Sequence, residues 1–148
     1  VSVRETLFWL QGTPVAHAIS KSHHLVGAGL QVVHIIGFVA LLAAALLLAL
    51  RQFGLALPGV PRERLDREIG RILWIGLGFA VFSGTLMFIS SPLLYFYNRA
   101  FEWKLVLLAV AVLVQWLLFR SAQRGLLVAA SLALWFGVGI AGRAIGFV

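Results

Sequence analysis

The chain has 148 residues, 61% of them hydrophobic and only 11% charged, and its mean hydropathy is +1.01. A soluble domain carries roughly 25% charged residues, so a water-soluble globule is excluded and lipid is the solvent for most of the surface. Cysteine is absent, which excludes disulfides and thiolate-held metal or iron–sulfur centres; the net charge of +7 resides mostly at the ends of apolar runs, where it meets lipid headgroups, so no nucleic-acid partner is expected.

Residues 1–22 precede the first apolar run. Val3, Leu7 and Leu10 recur at helical spacing, with Phe8 and Trp9 beside them and Arg4 and Glu5 opposite. This pattern predicts a short amphipathic helix lying in the membrane interface. Thr13 and Pro14 suit an N-cap and a first helical position, predicting a second short helix from Pro14 to about Lys21. No basic stretch leads into an apolar core and a small-residue cleavage site, so no cleavable signal peptide is expected.

The first span is predicted over about residues 25–50, a run without a formal charge that Arg51 closes; about 20 apolar residues suffice to cross a bilayer. Gly54, Pro58, Gly59 and Pro61 then break helix, and the charged segment from Arg62 to Arg71 reads as the solvated start of the next one. The second span is predicted over about 72–90 and is crowded with Gly76, Gly78, Ala80, Ser83 and Gly84, which permit close helix packing in lipid. Pro92 ends it. An aromatic belt leads to a third span over about 104–119. The minimal linker RSAQRG makes an antiparallel hairpin with a fourth span over about 126–141. The predicted fold class is all-α: one integral-membrane four-helix bundle over residues 1–148, with an N-terminal amphipathic interfacial helix.

Lysines and arginines set orientation. Seven lie on the side of the first and third loops (Arg51, Arg62, Arg64, Arg67, Arg71, Arg120 and Arg124) and five on the other (Arg4, Lys21, Arg99, Lys104 and Arg143). The positive-inside rule then expects both termini outside the cytoplasm.

The sharpest functional feature is His34, inside the first span. An ionisable residue within the membrane is a functional-site hypothesis by default. Gln31 lies three residues before it on nearly the same face, with Gly27 and Gly37 on or near that face. His34 can be read three ways. As a structural residue it hydrogen-bonds a neighbouring helix, at Ser83, Thr85 or Gln115. As an axial ligand of b-type haem it gives one ring nitrogen to iron while the other bonds a supporting group. As a ligand for copper or a similar cation it needs companions. The remaining spans contain no histidine, so a sixth haem ligand would have to be Met87, the only methionine, or His34 of a second protomer. Phe38, Phe79, Phe82 and Trp135 are candidates to enclose a macrocycle. A copper ladder would run His23, His34, Met87; His17, His23 and His24 otherwise read as interfacial histidines. At the edge of the membrane, Arg143 is expected to pair with Glu102. The rival is an anion site made by Arg99, Lys104 and Arg143, for a propionate or a lipid phosphate.

The motifs are the HxxG of the first span (His34, Gly37), an NxxFxxK entry to the third (Asn98, Phe101, Lys104) and a terminal GR (Gly142, Arg143). In these the chain, over about residues 13–147, resembles an uncharacterised family of small bacterial inner-membrane proteins with four spans and, more distantly, the copper-resistance D type of membrane domain. The resemblance implies a bacterial inner-membrane location. It also marks a departure: the family often has proline and an acid where this chain has Ala28 and Gln31, so a carboxylate partner for the histidine is missing here. No nucleophile triad, paired carboxylates, P-loop or HExxH is present. The functional expectation is therefore a haem-binding electron-transfer protein built on His34. The alternatives are an accessory or scaffold subunit of a larger membrane complex and a copper or cation transporter. The glycine-rich spans raise a homo-oligomer.

Overall fold

The computed structural model describes residues 2–21, 24–121 and 125–147, with only the backbone of residue 24. The ladder position His23 and the charge at Arg124 fall outside the described residues. Among the described residues the chain is 89% helical and has no strand. Seven α-helices follow one another: α1 (Val3–Gln11), α2 (Pro14–Lys21), α3 (His24–Gln52), α4 (Arg62–Ser90), α5 (Pro92–Phe96), α6 (Arg99–Arg120) and α7 (Gly125–Ala144), closed by a 3-10 turn, Ile145–Phe147. Four of them, α3, α4, α6 and α7, are long and apolar enough to cross a membrane.

Local chemistry starts and stops these helices. The Ser2 hydroxyl accepts from the Glu5 amide at 3.2 Å and the Glu5 carboxylate accepts from the Ser2 amide at 2.8 Å, a reciprocal cap of α1. Thr13 Oγ1 accepts from the Ala16 amide, and Pro14 opens α2. The charged segment at Arg62 is continuous helix with the second span, so α4 begins ten residues before the apolar run. Asn98 caps α6: Oδ1 accepts from the amides of Ala100 and Phe101. Its Nδ2 donates to the Ile145 carbonyl at 3.2 Å, tying the start of α6 to the end of α7. Between α3 and α4, the Arg51 guanidinium donates to the Val60 carbonyl and Arg62 donates to Gln52 Oε1 at 2.6 Å, which folds the connecting loop back on the helix ends.

The spans form an arc. α3 packs along α4, α6 along α7, and α3 joins the two pairs through α7, whereas α4 and α6 barely approach each other. α1 and α2 cover the α4–α5 end, with Leu7 and Ala16 buried. Leu41, Ala44, Ala45 and Leu48 of α3 share one core with Leu73 of α4, Ala111 of α6, and Trp135 and Val138 of α7.

The closest joint is a glycine crossing of α3 and α4. A Cβ at Gly37 would stand 2.8 Å from the Gly76 carbonyl oxygen, and one at Gly76 would stand 2.6 Å from that of Gly37. Between apolar helices in lipid the attraction is dispersion at short range, which small residues permit. Gly78, two residues on, has nothing within 4 Å of its Cβ position.

These two positions separate packing from propensity. Gly76→Ala is expected to destabilise the protein in detergent by about 1–3 kcal/mol, because the obstacle is backbone and cannot turn aside. Gly78→Ala is expected to be neutral or slightly stabilising, since alanine favours helix over glycine. Thermal unfolding of both variants in one micelle checks this; equal midpoints would remove the crossing as a constraint.

Candidate functional site

His34 lies ten residues into α3, about 15 Å along the helix from its start. Its Nδ1 is 2.8 Å from the Ala80 carbonyl oxygen and 3.3 Å from Ser83 Oγ, both on α4. A carbonyl only accepts, so Nδ1 carries the proton and donates. The Ser83 hydroxyl donates in turn to the Phe79 carbonyl at 2.6 Å. The second ring nitrogen, Nε2, then has a lone pair facing outward from α4. Lys104 Nζ of α6 lies 3.3 Å from it, and the ammonium donates.

Two glycines make this geometry possible. A Cβ at Gly84 would stand 3.1 Å from the His34 ring, so α4 is cut away where the imidazole lies. A Cβ at Gly142 would stand 3.4 Å from Lys104 Nζ and 3.5 Å from its Cε, so the lysine stem runs over a bare stretch of α7. All four spans therefore contribute: α3 the ring, α4 its acceptor, α6 the cation and α7 the clearance. Among the described residues no acid pairs with Lys104.

The other sequence-derived candidates disperse. Gly37 is spent on the α4 crossing. Gly27 and Gln31 are exposed on the first turns of α3. Met87 is half-buried one turn beyond Ser83, and no hydrogen bond joins it to His34 among the described residues. Arg99 is exposed. Arg143 is exposed too and lies over the Phe147 ring, 4.4 Å from its centroid. The expected Glu102–Arg143 pair does not form among the described residues. Glu102 sits two residues before Lys104, roughly 200° around α6, so it turns away from the face that meets α7. His17 is exposed on α2.

Of the three partners expected for His34, Ser83 is present. Gln115 instead anchors a separate buried network, where its Oε1 accepts from Ser131 Oγ at 2.7 Å and from Trp135 Nε1 at 3.2 Å. Thr85 donates back to its own helix at the Val81 carbonyl. The site residues that sequence reasoning missed are Ala80, Gly84 and Gly142. Ala80 acts through a backbone carbonyl and leaves no trace in residue type, whereas Gly84 was visible only as a small residue and Gly142 only as part of the terminal GR motif.

The haem expectation can be held against this geometry. A ligating histidine needs one nitrogen for iron and one for support. The Ala80 carbonyl provides the support, but Lys104 occupies the nitrogen that iron would need. Phe79 and Phe82 are exposed, Phe38 packs on Gly139, and Trp135 is buried against Gln115, so these rings do not wall a slot for a macrocycle. Among the described residues no three His, Cys, Asp or Glu side chains converge as a metal site. The residues around His34 thus do not fit haem as they stand.

No protein family, curated protein or solved structure matches this chain in the three comparisons made.

Expression with added haem followed by purification is expected to give protein without a His34-dependent Soret band. A stoichiometric Soret band that His34→Ala abolishes would show that Lys104 yields Nε2 to iron.

Proposed function

We propose that this integral membrane protein binds the anionic head of a small amphiphile, a carboxylate or a phosphate, through Lys104 held by His34. The observation that carries the reading is a lysine inside a span whose hydrogen-bond partner is a neutral imidazole, with no acid paired to it among the described residues. Intramembrane cations are costly and usually pair or line a functional path. An ammonium has three donors. One goes to His34 Nε2, which aims the head of the lysine, and the others are directed to the ligand's oxygens. The Ala80 carbonyl and Ser83 fix the ring, so the imidazole acts as a positioning group and the lysine as the recognition group. The residues of α3 from 25 to 29 are all exposed, which leaves the approach to this end of the bundle open from the lipid leaflet.

The same withdrawal of Lys104 sharpens the charge asymmetry. With Lys104 inside the bundle, four interfacial basic residues remain at the α5 end, Arg4, Lys21, Arg99 and Arg143, against seven at the other. We read both termini, and the leaflet from which the ligand is taken, as non-cytoplasmic.

Ligand binding to the folded state raises stability, by about 2.7 kcal/mol at about a hundred-fold excess over Kd. In a neutral detergent, decanoate and dodecyl phosphate are added separately, with decanol as the uncharged control. At least one of the anions is expected to raise the melting temperature, and which one does so identifies the head group. The rise should vanish in Lys104→Met and persist in Lys21→Gln. An equal rise with decanol, or an undiminished rise in Lys104→Met, would overturn the reading. Orientation is checked separately, since the chain has no native cysteine. Leu94→Cys is expected to react with an impermeant maleimide on intact spheroplasts, and Gly59→Cys only after permeabilisation.

A further inference from the structure

The arc formed by the spans leaves a groove between α4 and α6. It measures about 420 Å³ and is lined by Trp74, Ala109, Val112, Leu113 and Trp116. The four α6 residues recur at i, i+3, i+4 and i+7 and so form one face. Arg120 continues that face one turn further, and its guanidinium lies 4.2 Å from the centroid of the Trp116 ring. On α4 the corresponding residue is Arg71, one turn before Trp74. The Phe119 ring fills the space over Gly70, 3.1 Å from its Cβ position, and lies 6.3 Å from the Trp74 ring. This contact brings Arg71 and Arg120, the next residues in sequence, to the same end of the groove. Both are exposed. Glu68 is the acid beside Arg71, at 4.0 Å, and that pair is itself solvent-facing, so it neutralises little.

A slot lined by apolar side chains and indole rings thus ends in two guanidinium groups at headgroup depth. We propose that this groove is a site for one anionic phospholipid: an acyl chain lies against the two tryptophans and its phosphate is held between Arg71 and Arg120. Charge complementarity selects the occupant. A zwitterionic lipid would fill the same slot with its own cation pressed towards the arginines, whereas an anionic lipid meets them with a net negative head. Arginine's planar fork suits phosphate oxygens. Helices that do not pack on each other expose a concave surface, and one ordered chain fills it better than a disordered bilayer. This site lies at the end of the bundle opposite to Lys104 and does not rest on the proposed anion binding there.

The test uses the full chain in phosphatidylcholine vesicles containing a fixed minor fraction of either brominated phosphatidylglycerol or brominated phosphatidylcholine. The exposed Trp9 and Trp103, at the far end, are replaced by Phe, which leaves Trp74 and Trp116 in the groove and Trp135 buried in the core as an emission background away from the groove lining. At low fractions, quenching by the anionic lipid is expected to reflect a preference on the order of ten-fold over the zwitterionic one. Arg71→Gln with Arg120→Gln should bring the two lipids level, and Arg4→Gln should change nothing. Should the double variant not fold, Trp74→Phe with Trp116→Phe is the second arm: it must abolish the lipid-dependent difference. Equal quenching by both lipids in the parent, or a difference that survives either double variant, overturns the proposal.

Discussion

Backbone-to-backbone contact at Gly37 and Gly76 is the constraint from which the rest follows. In lipid there is no hydrophobic gain from bringing two apolar helices together, so a joint must be made by close dispersion contact and by hydrogen bonds. Here the glycines let α3 and α4 touch main chain to main chain. That contact fixes the antiparallel register of the pair. One turn from the crossing on α3 stands His34; one turn from it on α4 stands Ala80. The imidazole reaches the Ala80 carbonyl at 2.8 Å because the axes cannot drift apart. A valine at either glycine would move the ring out of reach before it altered the ring's own surroundings.

The second pair of spans is joined by different means. α6 and α7 meet through Gln115, Ser131 and Trp135, all buried, with one amide oxygen serving two donors. The Gln115 amide nitrogen has no partner among the described residues. Its orientation is nevertheless settled, because Trp135 can only donate and must face the oxygen. One hairpin is therefore held by removal of side chains and the other by a polar core. Their shared boundary, α3 against α7, is apolar, with Phe38 lying over Gly139.

The architecture was legible in the sequence because a bilayer imposes it. Four apolar runs of sufficient length, Pro92 after the second and a short basic linker after the third leave little choice of topology; the helical spacing of Val3, Leu7 and Leu10 announced the first N-terminal helix, and Thr13 and Pro14 announced the second through capping chemistry. The site was legible in its central residue and in Ser83, but not in its other partners. His34 stood out as a lone imidazole in an apolar run. Its acceptor is a main-chain carbonyl, which any residue at position 80 would present. Lys104 read as one of three cations, with Arg99 and Arg143, of an anion site at the membrane edge, where lysines near helix ends usually reach for headgroups. It turns inward because α7 presents glycine rather than a side chain at position 142, a fact of tertiary register that no local pattern encodes. Glu102 and Arg143 were paired on membrane depth alone, and helical phase separates them.

The arc of the four spans has a mechanical corollary. Three of its joints run along helix lengths. The fourth side, from α4 to α6, is bridged by side chains: the stacked rings of Phe88 and Phe101 with centroids 5.5 Å apart, and Phe119 lying over Gly70 and beside the Trp74 ring. Parting that seam breaks no intimate helix crossing and needs only rotamer changes. The α4–α6 side is thus the one flank of the arc closed by side chains rather than by helix-on-helix contact, and it is the flank that meets the surrounding oil.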